Sequence, residues 1–190
     1  MVLLKKVSFA VITLFLVLTI SACSFGEEYI TDSKQYRRFD GSQTINYFPE
    51  NISSYTINDY SYRTYNYFDR CTEIFLDITV SKDEFNKLVN SARRYSKKPV
   101  TQKAYYDKDY TEIVFDNYYG INDENAEKNN VGNADIKKVI YNRNKRNIIY
   151  VYFNAFDTGV YPLKNVAYFN HFNIKESEYA KHAESYFEDE

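Results

Sequence analysis

Between Glu73 and Ser96 the chain switches its hydrophobic period from that of a strand to that of a helix, which limits the fold more than any other feature. Ile74, Leu76, Ile78 and Val80 alternate with Phe75, Asp77 and Thr79, so an extended segment there carries one wholly aliphatic face. Ser81-Lys82-Asp83-Glu84 then reads as a capping box, the Ser81 hydroxyl accepting from the Glu84 amide while the Glu84 carboxylate reaches back. Phe85, Leu88, Val89, Ala92 and Tyr95 follow at helical offsets, with Asn86, Lys87, Asn90, Arg93 and Arg94 on the opposite side. Lys97-Lys98-Pro99 ends the helix, because proline biases its predecessor away from helical geometry. Each element needs a partner for its apolar face, so the pair implies helix packed on sheet.

The remaining segments supply more strands. Thr44 to Pro49 reads as a short strand stopped by proline, Tyr55 to Phe68 as an aromatic strand, and Thr111 to Phe115 as another. A polar loop is expected over Asn117 to Asp135. Lys137 to Asn142 and Ile148 to Phe153 form the arms of a hairpin joined by Arg143-Asn144-Lys145-Arg146-Asn147, whose asparagines tolerate left-handed turn geometry. The second arm is apolar on both faces and is expected at the centre of the sheet. Val166 to Phe172 is expected as a strand and Ile174 to Phe187 as a terminal helix capped by Asn173. The expected architecture is α+β: a single, mainly antiparallel sheet covered by helix on one face, with one central amphipathic helix and a C-terminal helix.

The start of the chain is of a different kind. Lys5 and Lys6 precede an apolar run, Val7 to Ile20, that is too short to span a bilayer comfortably, and Ser21-Ala22 supply the small residues that a signal peptidase needs. The run stops at Ile20-Ser21-Ala22-Cys23, which resembles the lipobox of bacterial lipoproteins. The resemblance implies that the Cys23 thiol is acylated and that cleavage after Ala22 makes Cys23 the mature N-terminus, anchored by acyl chains. Residues 1–22 are then a signal peptide, 23–43 a polar tether rising from lipidated Cys23, and 44–190 a single domain. Phe48-Pro49-Glu50 followed by the unit Glu73 to Ser96 is similar in general appearance to the small uncharacterised lipoproteins of Gram-positive bacteria, which implies a cell-membrane, extracytoplasmic setting and no particular activity.

Charge bounds the partners. The net charge is −2 and becomes more negative once Lys5 and Lys6 leave, an acidic balance that argues against nucleic acid and against a polybasic grip on anionic lipid. Tyrosine, at 21 residues, and phenylalanine, at 14, are spread along the whole chain, so each carries little functional information. With Cys23 and Cys71 as the only cysteines, acylation of one leaves the other without an intramolecular partner. Cys71, just before an apolar strand, reads as a small buried residue.

His171 and His182 are the candidate general bases, the first placed on a strand face with Phe169 and Ala167, the second on the terminal helix. Neither a G-x-S-x-G elbow nor an H-E-x-x-H pair occurs. Asp123, Asn125 and Glu127 alternate as calcium-loop ligands do, but Lys128 stands where the loop needs glycine and Ala134 where it needs glutamate. The glycines are too few and too scattered to cradle phosphate, so no cofactor is expected. Two functions remain. One is a lipid-anchored binding or protein-interaction module for an envelope protein, peptide or glycan. The other is an envelope-acting hydrolase using His171 or His182 with nearby carboxylates. The stretch Tyr55 to Phe68 serves the first as a stacking platform, or else consists of strand residues packed in a half-buried sheet.

Overall fold

The computed structural model describes residues 26–40, 43–66, 70–95, 99–120, 133–155 and 166–175. Seven strands make one sheet: β1 (Gly26–Ile30), β2 (Thr56–Asn66), β3 (Arg70–Thr79), β4 (Val100–Lys103), β5 (Thr111–Gly120), β6 (Asn133–Asn142) and β7 (Asn147–Ala155). Their spatial order is β1-β2-β3-β7-β6-β5-β4, and every neighbouring pair is antiparallel. Helices α1 (Lys82–Tyr95) and α2 (Ala167–Phe172) complete the described fold, which is an α+β arrangement dominated by sheet.

The alternation that marks β3 sorts its side chains between two cores. Ile74, Leu76 and Ile78 join Tyr60, Tyr62, Ile148, Tyr150 and Tyr152 on one face, covered by Phe85, Val89 and Ala92 of α1 and by Ile45, Tyr47, Phe48 and Ile52. Cys71 and Phe75 join Ile149, Val151, Phe153, Ile136 and Ile140 on the other, covered by Val166, Tyr168 and Phe169. Both faces are therefore covered, where cover on one face was expected. β7 takes the middle position in the sheet, as its two apolar faces require.

The hairpin of β6 and β7 forms where expected but with longer arms, paired from Asn142 with Asn147 to Ala134 with Ala155, so that β6 starts at Asn133, inside the polar loop expected over Asn117 to Asp135. Its left-handed residue is Arg146, at φ 51°, and not one of the asparagines. Asn142 instead accepts the Lys145 amide through its side chain, at 3.0 Å. The capping box of α1 is half made: the Glu84 amide donates to Ser81 Oγ at 3.4 Å, while the Glu84 carboxylate accepts from the Tyr55 hydroxyl at 3.0 Å and from Lys87.

Five expectations are corrected. The polar stretch read as tether over residues 23–43 is, from Gly26 to Asp40, part of the domain. Gly26–Ile30 pairs with β2 as the edge strand, and polar groups of the stretch that suggested a solvated linker hold the segment down. Arg37 donates its amide to the Tyr60 hydroxyl at 3.0 Å, and buried Asp40 accepts from the Tyr152 hydroxyl at 2.7 Å. Thr44 to Pro49 is not a strand: Thr44 makes an isolated bridge with Phe39 and a turn follows. The strand expected over Val166 to Phe172 is helix α2. Asn173, expected to begin a helix, ends this one in the left-handed conformation at φ 52°. β5 runs on to Gly120, five residues past its expected end. Residues 176–187 of the expected C-terminal helix lie outside the described residues, as do Cys23, Tyr67, His182 and the Asp123, Asn125, Glu127 loop.

Candidate functional site

Helix α2 lies over the second face of the sheet, and its N-terminal amide is satisfied by the sheet itself. Val166 precedes the helix and has no side chain able to cap it. The buried carboxylate of Glu73, on β3, accepts from the Ala167 amide instead, so a negative group meets the positive end of the helix. Where α2 passes β1 and β2 it borders an open cleft lined by Tyr29, Asp59, Arg63, Ala167, Asn170 and His171.

The alternation of strands explains the lining. Asp59, Ser61 and Arg63 point to the same face of β2, and β1 brings Tyr29 opposite Arg63. The Arg63 guanidinium stacks over the Tyr29 ring at 4.2 Å from its centroid, and its Nε lies 3.5 Å from Glu27. Ser61, between the two charged residues, is buried, and its hydroxyl has no partner among the described residues.

His171 sits on α2 and not on a strand. Its ring packs 5.1 Å from that of Phe75 and 4.6 Å from that of Phe172, and its side chain is 26% exposed. Nε2 approaches Asp77 Oδ2 to 3.7 Å, an ion-pair distance that exceeds hydrogen-bond reach. Asp77 is already engaged at its other oxygen, which accepts from Asn58 at 2.9 Å and from Asn147. The cleft thus combines a cation, an imidazole, an amide from Asn170 and a carboxylate from Asp59, the set needed to orient a polar ligand through several hydrogen bonds.

The other candidates fall elsewhere. Cys71 is fully buried, and burial, then the charge of Glu73, pushes its thiol well above its ordinary range, which makes it a poor nucleophile. Tyr60 and Tyr62 are each only 2% exposed, so they are strand residues packed in the first core and not a stacking platform. A second cleft, between residues 46–51 and α1, sets Arg38 against Glu50 at 3.3 Å and Lys87 against Glu84 at 3.3 Å. Its charges are largely paired with one another. Among the described residues no group of carboxylates, histidines or cysteines could hold a metal ion.

Sequence reasoning picked out His171 but missed Arg63, Asp59 and Tyr29, which only the pairing of β1 with β2 brings beside it. Comparison of the chain with family models, with curated proteins and with solved structures finds no match.

Proposed function

We propose that the protein is a lipid-anchored, extracytoplasmic binding module of the bacterial cell membrane, and that the cleft bordered by Arg63 and His171 is where it holds an envelope peptide, glycan or partner protein. Ile20-Ser21-Ala22-Cys23 supports the anchor, and among the described residues no helix is long and apolar enough to cross a membrane. The observation that carries the binding role is the chemistry of the cleft. Arg63, Asp59, Asn170 and His171 line it and offer donors and acceptors to a polar ligand, and among the described residues that line it there is no serine, threonine or cysteine to serve as a nucleophile. Crosslinking in the native membrane, with Arg63→Ala and Asn170→Ala compared with the parent, tests the reading. Capture of a discrete partner by the parent and its loss in both variants, each still folded, supports it. Capture that survives both substitutions removes the cleft from the function.

One observation favours the hydrolase reading: His171 and Asp77 do come together. A water activated by His171, oriented through Asp77, would be the nucleophile. Turnover of isolated envelope material that disappears in His171→Ala would put this reading first.

The anchor has its own test. Cys23→Ala should leave the precursor uncleaved or release the domain from the membrane fraction. An Ala variant that is still matured and retained would refute lipidation.

A further inference from the structure

The point at which the first strand begins gives the proposed anchor a geometric consequence. β1 starts at Gly26, so only Ser24 and Phe25 stand between an acylated Cys23 and the sheet, three residue steps from Cys23 to Gly26. Three residues reach about 10 Å at full extension, little more than a headgroup layer, whereas the tether expected from composition would have allowed several times that distance.

The same end of the sheet can be followed across the strands by register. Gly26 pairs with Asn66, and Asn66 with Arg70. Cys71 pairs with Ala155, Ala155 with Ala134, and Gly120 with Asn133. The starts of β1, β3 and β6 and the ends of β2, β5 and β7 therefore lie together at one edge. The opposite edge carries the turn 143–146 and the junction of Thr79 with α1. Along β7 the two edges are eight residues apart, about 26 Å at the rise of a strand.

We infer that the protein sits directly on the bilayer surface with the Gly26, Asn66 and Arg70 edge turned to the lipid and the 143–146 turn directed away. The inference rests on acylation of Cys23. It fixes where the candidate cleft opens: Arg63 lies three residues and Asp59 seven residues along β2 from Asn66, about 10 to 23 Å above the anchored edge. The cleft then faces material of the cell envelope beside the domain, beyond the reach of lipid headgroups for most of its length.

The experiment uses the mature acylated protein, reconstituted in vesicles of phosphatidylglycerol and phosphatidylethanolamine that carry a headgroup-linked quencher lipid. A thiol-reactive fluorophore is placed by Glu28→Cys or by Asn144→Cys, both at exposed positions. Cys71, fully buried, should take up no label, and the parent protein supplies that baseline. The expected result is strong quenching at position 28 and little at position 144. A flexible ten-residue spacer inserted between Ser24 and Phe25 should then relieve most of the quenching at 28. Equal quenching at both positions in protein that co-sediments with the vesicles, or stronger quenching at 144, overturns the orientation while leaving the anchor intact. Protein that fails to co-sediment with the vesicles overturns the anchor and the orientation with it.

Discussion

Glu73 accepts a hydrogen bond from the amide of Ala167, so a carboxylate on β3, the third strand from the β1 edge, caps a helix 94 residues further along the chain. The carboxylate is buried, at 2% exposure, and the helix it caps has only six residues. A helix that short has no stability of its own and depends on packing and on its caps.

Glu73→Ala should therefore cost about 1.5 to 3 kcal/mol, the range for a hydrogen bond to a charged group whose partner is left buried. Glu73→Gln, which keeps a carbonyl acceptor, should cost less. The specific readout is amide hydrogen exchange, which should quicken at residues 167–170 in the Ala variant before it changes in β7. Uniform loss of protection across the sheet would show that Glu73 serves the fold in general and not α2.

The face of α1 can be tested at adjacent turns. Phe85 is buried and packs edge-on to Tyr141, with centroids 5.9 Å apart, whereas Leu88 is only half-buried. Phe85→Ala should cost about 3 to 5 kcal/mol. Leu88→Ala should cost clearly less, and Lys87→Ala should stay within about 0.5 kcal/mol of the parent. Equal midpoints for Phe85→Ala and Lys87→Ala in a urea melt would mean that the helix does not rest on the sheet as described.

The elements legible in the sequence were those whose periodicity has one cause. β3, α1 and the β6–β7 hairpin announce themselves because burial alone sets their patterns. The edge strand β1 does not: Gly-Glu-Glu-Tyr-Ile buries only Ile30 and meets solvent with the rest, so its polarity looks like that of a linker. Helix α2 was misread because Tyr168, Phe169 and Phe172 suit either period over so short a span. Its decisive features, the Glu73 cap and the absence of room in an already paired sheet, are tertiary. The cleft was half visible, since a histidine attracts notice on its own while Arg63 and Asp59 are two of many charges until register places them. β6 carries one further signal in its sequence. Ile136, Lys138 and Ile140 share a face, and a lysine between two core isoleucines implies a buried partner.

That partner is Glu112. Lys138 Nζ lies 3.4 Å from its carboxylate, and both side chains are 1% exposed. Gln102 donates to the same carboxylate at 2.8 Å, and the Tyr168 hydroxyl stands 3.5 Å from Lys138. Lys138→Ala should cost about 3 to 5 kcal/mol, because it strands a buried carboxylate. The double change Lys138→Met, Glu112→Leu should recover most of that loss. A single variant that melts within about 1 kcal/mol of the parent would show that water reaches the pair.

Alkali should unfold the protein through its tyrosines. Burial pushes Tyr55, Tyr60 and Tyr65 up to about 12, and pushes Tyr36, Tyr150 and Tyr152 further. In the unfolded chain each loses its proton near 10. Between about pH 10 and 12 the folded state therefore binds more protons than the unfolded one, and stability falls as pH rises. Below that window the tyrosine contribution is fully present. Lys138 acts in the opposite sense. Its burial, partly offset by Glu112, lowers its pKa in the fold, so its own contribution improves as pH climbs toward about 10.5, but it is one group against several. Urea midpoints measured at intervals from about pH 8 to 11.5 should begin to fall as the unfolded Cys71 thiol ionises at about 8.5 and drop steeply above about pH 10, with tyrosinate absorbance rising in step with unfolding. A midpoint that stays level or climbs above about pH 10 would mean that the tyrosines ionise freely in the folded state, and that Tyr60 and Tyr152 are not sealed in the core where their hydrogen bonds to Arg37 and Asp40 place them.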